Sequence, residues 1–299
     1  MAEATAGAAL SLPAPAKLNL YLHVTGKRAD GYHLLDSLVA FAGVHDVIDV
    51  RPGDDLSLAI EGPFAEGLSA GEDNLVLKAA GRLAEAAGVR PRAAIRLEKR
   101  LPVASGIGGG SADAAAVLVG LTRLWGLDAG AVGLDVIALS LGADVPACLK
   151  GYAAFVGGIG EEIARAPALP AAWLVLANPG VALPTKAVFQ ARRGDFSPPG
   201  RFDESPATAK VLAGLLAARR NDLTDIAVGL APAVGEVLRA LAAATGVLLA
   251  RMSGSGATCF GLFAEAGEAA SAAALIGRAH PAWWVLATPL IGDVRDLGR

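Results

Sequence analysis

Apolar and polar residues alternate along KLNLYLHV, residues 17–24, with leucine or valine at every even position. Side chains of a β-strand point alternately to its two faces, so the pattern predicts a half-buried strand. Lys17 and Asn19 then lie side by side on its polar face. The pattern therefore places an ammonium and an amide on one surface near the start of the chain.

The next segments predict a mixture of strands and helices that leads to a glycine-rich stretch. DVIDV (46–50) and LSLAI (56–60) are typical of short strands, and residues 73–88 have helical spacing that ends at Gly88. AAIRLE (93–98) alternates again, and ADAAAVLVGLTRLWG, beyond the glycines, is helical. The predicted order is strand, glycine loop, helix. Two further patterns follow: a helix that ends at Gly142 with a second apolar segment after it, and a hairpin in YAAFVGGIGEEI.

Beyond residue 165 the pattern changes. WLVLAN is a predicted strand, residues 186–244 are mostly helical, and VLLARMS and TCFGLF are strands joined by a tight GSG turn. A helix in EAASAAALIGRA and a strand in WWVLAT complete a ferredoxin-like order with a helical insertion. ARAPALPAA, with its two prolines, predicts the boundary between domains 1–165 and 166–299. The polar segment 193–206 predicts a mobile loop.

Composition narrows the class of protein. The 299 residues are 54% hydrophobic and 18% charged, with a net charge of -3, which argues against nucleic acid as a partner. Cys148 and Cys259 lie in apolar runs, so we expect reduced core thiols of a cytoplasmic protein. We expect no signal peptide and no membrane span. His23, His45 and His280 lack metal-ligand spacing, so we expect no structural zinc.

The stretch LPVASGIGGGSADAAAVL, residues 101–118, has four glycines within five residues. A flexible linker would have polar borders, whereas this stretch joins a strand to a helix. Glycines expose backbone N–H groups, and a helix N-terminus favours anions, so we expect an anion cradle, with a packing turn as the alternative. A P-loop would need a lysine after the glycines, and a dinucleotide fingerprint would need glycine at Ser111. The protein-kinase pattern fails because its lysine and H-R-D segment are missing.

PVASGIGGGSADAA, residues 102–115, resembles the phosphate loop of the GHMP kinases, which include galactokinase, homoserine kinase, mevalonate kinase and phosphomevalonate kinase. PAKLNLYLHVTGKRADGYH and MSGSGATCFGLF match the other two motifs of that family in order. The resemblance implies an α+β, two-domain fold, with an N-terminal domain like domain 2 of ribosomal protein S5 and a C-terminal ferredoxin-like domain. RADGYH, GADVP and NPGVALPT resemble the branch that phosphorylates the 2-hydroxyl of a cytidine diphosphate derivative of methylerythritol.

The resemblance implies ATP and Mg²⁺ as cofactors and assigns residues to three roles. Asp144 would accept the proton of the substrate hydroxyl, and Lys17 would keep Asp144 ionised and stabilise charge on the attacking oxygen. The nucleotide would be bound by Pro102, Val103, Ala104, Ser105, Gly106, Ile107, Gly108, Gly109, Gly110, Ser111 and Ala112. The substrate, in a cleft between the domains, would be bound by Asn19, Tyr32, His33, Thr185, Phe189, Gly254 and Gly256.

Each assignment has a plainer alternative. Asp144 could be a helix N-cap or part of a core salt bridge, and Lys17 a solvated lysine. Tyr32 and His33, exposed by the turn in RADG, could cover a core. Phe189 could be helix core instead of stacking on a pyrimidine.

Two short stretches carry further alternatives. Ser111, which opens the helix after the glycines, could cap that helix or contact phosphate or Mg²⁺, and the glycines of SGSG could form a bare hairpin turn. Ala104, Ser105, Ala112 and Asp113 depart from the family, which typically has glycines at the first two positions and often serine or asparagine at the others.

The predicted protein is a cytoplasmic, bacterial small-molecule kinase, a monomer or weak homodimer. A homoserine kinase, a ligand sensor on the same fold and an NAD-binding oxidoreductase are the rival hypotheses. RADGYH and GADVP argue against the first, and the presence of both Lys17 and Asp144 argues against the second. The glycine pattern and the order of elements argue against the third.

Overall fold

Residues 9–297 of the chain are described by the computed structural model. They divide into two compact units, each assembled from separate stretches of the sequence. Among the described residues, the first unit comprises residues 9–15, His45–Val103 and Gly109–Lys150, and the second comprises Ala16–Val44, Ala104–Gly108 and residues 151–297. Two long strands explain this interleaving, because β1 (Leu10–Lys27) and β2 (His33–Arg51) each contribute residues to both units.

The predicted boundary after residue 165 does not coincide with these units. Residues 16–44 belong to the second unit although they precede the boundary by far, and so do residues 151–165. Prolines mark where the chain turns, but long-range strand contacts decide which residues form one compact unit. The assignment of residues 1–165 to nucleotide binding and of 166–299 to the substrate stays a prediction.

In the first unit, strands pack against helices. β3 (Leu56–Glu61) pairs in parallel with β4 (Ala93–Glu98), and β4 pairs antiparallel with the end of β2, with Ile48 opposite Leu97. The helices of this unit are α1 (Leu75–Ala87), α2 (Gly109–Leu124), α3 (Leu134–Leu141) and α4 (Val145–Lys150). Ile48 and Leu97 belong to one buried apolar cluster with Leu83 of α1 and Leu118 of α2.

Local signals explain where these elements begin and end. The Asn74 side chain accepts a hydrogen bond from the N–H of Val76 at the start of α1, and Gly88 ends the helix in the left-handed conformation with φ 63°. Buried and half-buried residues alternate along β4, as its sequence predicts. The predicted helices around residues 73–88 and before Gly142 are confirmed.

The second unit contains the predicted ferredoxin-like order. Its sheet runs β10-β7-β9-β8, and all neighbours are antiparallel. The strands are β7 (Trp173–Asn178), β8 (Val247–Met252), β9 (Cys259–Phe263) and β10 (Trp284–Ile291). The insertion between β7 and β8 comprises α5 (Thr185–Ala191), α6 (Ala209–Ala217), α7 (Thr224–Leu230) and α8 (Ala233–Ala242), and α9 (Ala266–Ala279) connects β9 to β10.

Two further pairings complete the second unit. β5 (Ala154–Gly158) and β6 (Glu162–Arg165) form the predicted hairpin, and β5 pairs antiparallel with the first half of β2. β2 also pairs with the end of β10, where Ala42 lies opposite Leu290.

Several predictions about local structure were wrong. β1 is not half-buried: Lys17, Asn19 and His23 are buried together with its leucines, because hydrogen bonds satisfy the polar side chains. DVIDV is the end of the 19-residue strand β2. Cys259 is buried, but Cys148 is only partly buried.

Segment 193–206 has no helix or strand, yet its backbone is tied to β1 and β2 of the second unit. The N–H of Ser197 donates to Val24 O, and the N–H of Gly200 donates to Asp36 Oδ2. Within residues 9–297, no helix is both long and apolar enough to cross a membrane.

Candidate functional site

The glycine-rich segment between β4 and α2 is a folded turn. Ser105 and Ile107 are buried, and Ala104, Gly106 and Gly108 have positive φ angles of 51°, 78° and 62°. Left-handed residues reverse the chain within a few positions, which glycine allows at little cost. The predicted order of strand, glycine loop and helix is confirmed, and the segment is not a solvated linker.

Ala104 carries backbone strain in this turn. A residue with a Cβ pays about 1–2 kcal/mol to adopt the left-handed conformation, which glycine adopts freely. The resemblance implies glycine at this position. Alanine keeps the left-handed shape of the turn and lowers the stability of the fold.

Gly106 packs directly against the turn that joins β8 and β9 in the second unit. A Cβ on Gly106 would lie 2.5 Å from the carbonyl oxygen of Gly256 and 2.7 Å from that of Ser253. A Cβ on Gly254 would lie 2.8 Å from the carbonyl oxygen of Gly106. The SGSG turn is thus no bare hairpin: its glycines let two backbone segments touch.

Lys17 and Asn19 lie beside the same turn. The backbone N–H of Lys17 donates to the Ile107 carbonyl at 2.8 Å, and the Lys17 ammonium donates to Asn19 Oδ1 at 2.9 Å. The Ser253 hydroxyl accepts from the N–H of Asn19 at 3.1 Å and donates to the Gly106 carbonyl at 3.0 Å. Lys17 is 2% exposed, so it is not a solvated surface lysine.

Asn221 holds the SGSG turn from its other side. Its side-chain amide donates to the carbonyls of Met252 and Gly254, both at 2.8 Å, and its Oδ1 accepts from the N–H of Leu223. Every polar atom of this buried side chain is therefore used to fix backbone. The role of Asn221 was not predicted, because an asparagine after a helix usually marks only a turn.

The predicted base-binding aromatics lie in the second unit. Tyr32 is 61% exposed on the turn between β1 and β2, and the rings of His33 and Phe189 are 5.4 Å apart with a tilt of 32°. Phe189 is partly buried against the apolar core of this unit, so the core alternative is also correct in part. Burial lowers the pKa of His33, as do the positive charges of Lys27 and Arg192, so its ring is neutral at pH 7.

Thr185 connects these aromatics to the glycine turns. It is the first residue of α5, one helical turn before Phe189, and its hydroxyl lies 2.8 Å from the hydroxyl of Ser255. Ser255 follows Gly254 in the SGSG turn. Seven predicted residues, namely Lys17, Asn19, His33, Thr185, Phe189, Gly106 and Gly254, therefore form one connected set within the second unit.

The remaining predicted nucleotide contacts belong to the first unit. α2 begins at Gly109, so Ser111 is the third residue of the helix and does not open it. A Cβ on Gly110 would meet no atom within 4 Å, so the helix start is open at this residue. The first N–H groups of a helix make no hydrogen bond within the helix. Together with the positive end of the helix dipole, they favour the binding of an anion. Ala112 is buried behind them.

Asp144 lies directly before α4. Its carbonyl accepts the N–H of Cys148 at 3.1 Å, which is the first hydrogen bond of that helix, so Asp144 occupies the N-cap position. The side chain is partly exposed. Asp144 belongs to the first unit and Lys17 to the second, and the predicted pairing of the two side chains stays a prediction.

Three buried charged side chains meet at the start of α2. The Lys99 ammonium lies 2.5 Å from Asp46 Oδ2 and 2.7 Å from Asp113 Oδ2. Burial raises the pKa of Asp113 to about 7, with Asp46 adding to the rise and Lys99 opposing it. The sequence pattern marks Asp113 only as a departure from the family and predicts no role for Lys99 or Asp46.

No group of three or more His, Cys, Asp and Glu side chains suited to a metal ion occurs within residues 9–297. In the first turn of α2, Ser111 supplies the side-chain hydroxyl.

Comparison with known proteins places the chain in a family. Residues 74–152 match the GHMP kinases N terminal domain, and residues 203–280 match the GHMP kinases C terminal domain. The 4-diphosphocytidyl-2-C-methyl-D-erythritol kinase of Paramagnetospirillum magneticum is 59% identical over 281 residues, which cover 94% of this chain and 98% of that protein. This chain belongs to the 4-diphosphocytidyl-2-C-methyl-D-erythritol kinase family. The protein of that name from Rhodospirillum rubrum is 55% identical over 93% of this chain and 91% of its own.

Solved structures agree with this family membership. A crystal structure of 4-(cytidine 5'-diphospho)-2C-methyl-D-erythritol kinase has a TM-score of 0.74 at 36% identity, covering 95% of this chain and all of that one. Homoserine kinase from Cytophaga hutchinsonii has a TM-score of 0.71 at 17% identity, with 98% of each chain covered, which shows a shared fold. The predicted family and its two-domain α+β fold are confirmed.

Proposed function

We propose that this chain transfers a phosphoryl group from ATP to the 2-hydroxyl of 4-diphosphocytidyl-2-C-methyl-D-erythritol, a step of non-mevalonate isoprenoid biosynthesis. The observation that carries the proposal is the 59% identity to a kinase of that name along 94% of the chain. The enzyme is a small-molecule kinase of the GHMP family that uses ATP.

The described residues suit the nucleotide. Gly109, Gly110 and Ser111 supply the first N–H groups of α2, where the helix dipole favours phosphate. When bound, ATP supplies the phosphoryl group, and Mg²⁺ would offset the charge of its phosphates. In this proposal the residues from Pro102 to Ala112 line the phosphates, and the Ser111 hydroxyl contacts a phosphate or the ion.

Phosphoryl transfer requires mainly alignment of the reacting groups and stabilisation of charge. We assign Asp144 to accept the proton of the substrate hydroxyl, and the Lys17 ammonium to stabilise negative charge on the attacking oxygen. Two observations support the role of Lys17: its side chain is buried, and its own N–H holds the Ile107 carbonyl of the glycine turn.

The cytidine base suits the aromatic residues of the second unit. A base presents a flat face for stacking and a polar edge for hydrogen bonding. We assign stacking to Phe189, and edge contacts to Tyr32, the neutral ring of His33 and the Thr185 hydroxyl. Asn19, Gly254 and Gly256 would shape the adjoining part of the substrate site.

Both reactants are nucleotides and both closely related kinases are bacterial proteins, so we place the enzyme in the bacterial cytoplasm. We expect a monomer or weak homodimer that acts on a small molecule, with no nucleic-acid partner.

The test incubates the purified chain with ATP, Mg²⁺ and the cytidine substrate and follows phosphorus by NMR. We expect equal amounts of ADP and a new phosphate monoester, and no product from homoserine or mevalonate. Turnover of homoserine would favour the homoserine kinase hypothesis, and ATP binding without any product would favour a ligand sensor.

Asp144→Asn tests the assigned base. The variant keeps its shape and loses the proton acceptor, so we expect turnover to fall by a factor of about 100 or more while ATP still binds. Asp135→Asn is the matched control, because Asp135 is an exposed aspartate of the same unit that pairs with Lys150. Full activity of Asp144→Asn would rule out the assignment.

A further inference from the structure

The charged side chains of Lys99, Asp46 and Asp113, which we name the buried triad, lie inside the first unit. Each is less than 5% exposed at its side chain. Asp46 comes from β2, Lys99 follows β4, and Asp113 belongs to α2. A single ammonium thus joins the β2–β4 sheet to the helix that follows the glycine loop.

Burial of the triad removes three ionisable side chains from water, and this loss of hydration opposes folding. It holds two carboxylates and one ammonium, and Asp113 Oδ1 is buried with no hydrogen-bond partner among the described residues. Apolar residues of similar volume often stabilise a core as well as or better than buried ion pairs do. The triad therefore contributes mainly by fixing the position of the backbone around it, and less by stabilising the fold.

The geometry centres on the start of α2. Asp46 Oδ1 accepts the N–H groups of Arg100 and Leu101, at 2.5 and 2.8 Å, and so fixes the backbone that enters the glycine loop. Asp113 lies one turn after Gly109, where the chain leaves that loop. A Cβ on Gly109 would lie only 3.1 Å from the Lys99 ammonium, so this glycine lets Lys99 approach the first residue of the helix.

We propose that Lys99 and Asp113 are positioning residues for ATP: the hydrogen bond from the Lys99 ammonium to Asp113 Oδ2 fixes the direction in which the N–H groups of Gly109, Gly110 and Ser111 point. This inference rests on the proposed function, because it assumes that phosphate binds at this helix start. Lys99 acts through Asp113 and touches no reactant. N–H groups that no longer point at the phosphates bind them less tightly, so the pair matters more for the affinity for ATP than for the fold.

The test compares Asp113→Ala with Asp113→Asn. Alanine removes the hydrogen bond that the Lys99 ammonium donates to Asp113. The remaining Lys99–Asp46 ion pair has no net charge, so we expect the variant to fold, with the start of α2 no longer fixed to Lys99. We expect its KM for ATP to rise on the order of tenfold, while kcat at saturating ATP changes less than about threefold. Asparagine keeps an acceptor for Lys99 and should restore KM to within about threefold of the parent value.

Thr122→Ala is the matched control in the same helix. Thr122 is buried, and its hydroxyl donates to the Leu118 carbonyl at 2.7 Å, far along α2 from Gly109. We expect this variant to lose stability with an unchanged KM for ATP. If Asp113→Ala does not accumulate as folded protein, Asp113→Ser replaces it, since the shorter hydroxyl does not span the distance to Lys99.

The outcomes separate this inference from the proposed function. A parent enzyme that neither binds ATP nor phosphorylates the cytidine substrate contradicts the proposed function. A parent enzyme that is active, with a folded alanine or serine variant of unchanged KM for ATP, contradicts the positioning role alone. An equal rise in KM for ATP in Thr122→Ala would also contradict the positioning role, because any loss of helix stability would then be enough to weaken ATP binding.

Discussion

The buried triad makes the stability of the enzyme depend on pH. The pKa of Asp113 is raised from 3.8 to about 7 because the side chain is buried and Asp46 lies nearby, although Lys99 opposes the rise. Between these two values the folded protein holds a proton that the unfolded chain has lost. The contribution of Asp113 to the free energy of unfolding is therefore at its maximum below pH 3.8, and it is lost as the pH rises to about 7.

The magnitude follows from the two pKa values. Each pH unit over which only the folded state is protonated costs about 1.4 kcal/mol of unfolding free energy. The whole interval amounts to roughly 4 kcal/mol, of which about 3 kcal/mol falls between pH 5 and pH 8. This is an upper limit, because a native state that relaxes around the ionised carboxylate loses less.

Asp113→Asn removes this ionisation and keeps the shape of the side chain. We expect the variant to be more stable than the parent at pH 8, and the difference to shrink steadily as the pH falls to 5. Urea denaturation at several pH values measures it, with Thr122→Ala as a variant of the same helix that has no group to titrate. The reasoning is refuted if Asp113→Asn destabilises the protein more at pH 8 than at pH 5, since Asp113 would then be a favourably paired carboxylate.

Two further predictions concern single residues of the site. Ala104→Gly should stabilise the enzyme by about 0.5 to 1 kcal/mol, because relief of the left-handed strain exceeds the entropy that glycine adds to the unfolded chain; a lower melting temperature would contradict this. Phe189→Leu keeps the apolar contact with the core but removes the aromatic face, so KM for the cytidine substrate should rise on the order of tenfold. Steady-state kinetics with each substrate varied in turn checks this, and an equal rise in KM for ATP would mean that the variant disturbs the whole site.

Much of the fold could be predicted because local signals decide it. Alternation identified β4, helical spacing and Gly88 identified α1, and the order of elements after residue 165 identified the ferredoxin-like sheet. The burial of both faces of β1 could not be predicted in this way. Its polar side chains bond to Ser37 and Pro198, which are distant in sequence, and alternation says nothing about such partners.

The site shows the same limit. Motifs led to the glycine turn, Lys17 and Phe189, because the spacing of residues within a motif is visible in the sequence. Ser253 and Asn221, which hold backbone of the second unit in place, were missed because their partners lie in other segments. The buried triad was missed for a similar reason: Asp46, Lys99 and Asp113 are spread over 68 residues, and only the fold brings them together.

The most direct measurement is the amide NMR spectrum of the enzyme titrated with a non-hydrolysable ATP analogue and Mg²⁺. If the backbone between Gly106 and Ser111 binds the triphosphate, the amide resonances of those residues shift most, and that of Thr122 stays in place. Saturable binding that shifts other amides and leaves residues 106–111 unchanged would contradict the account.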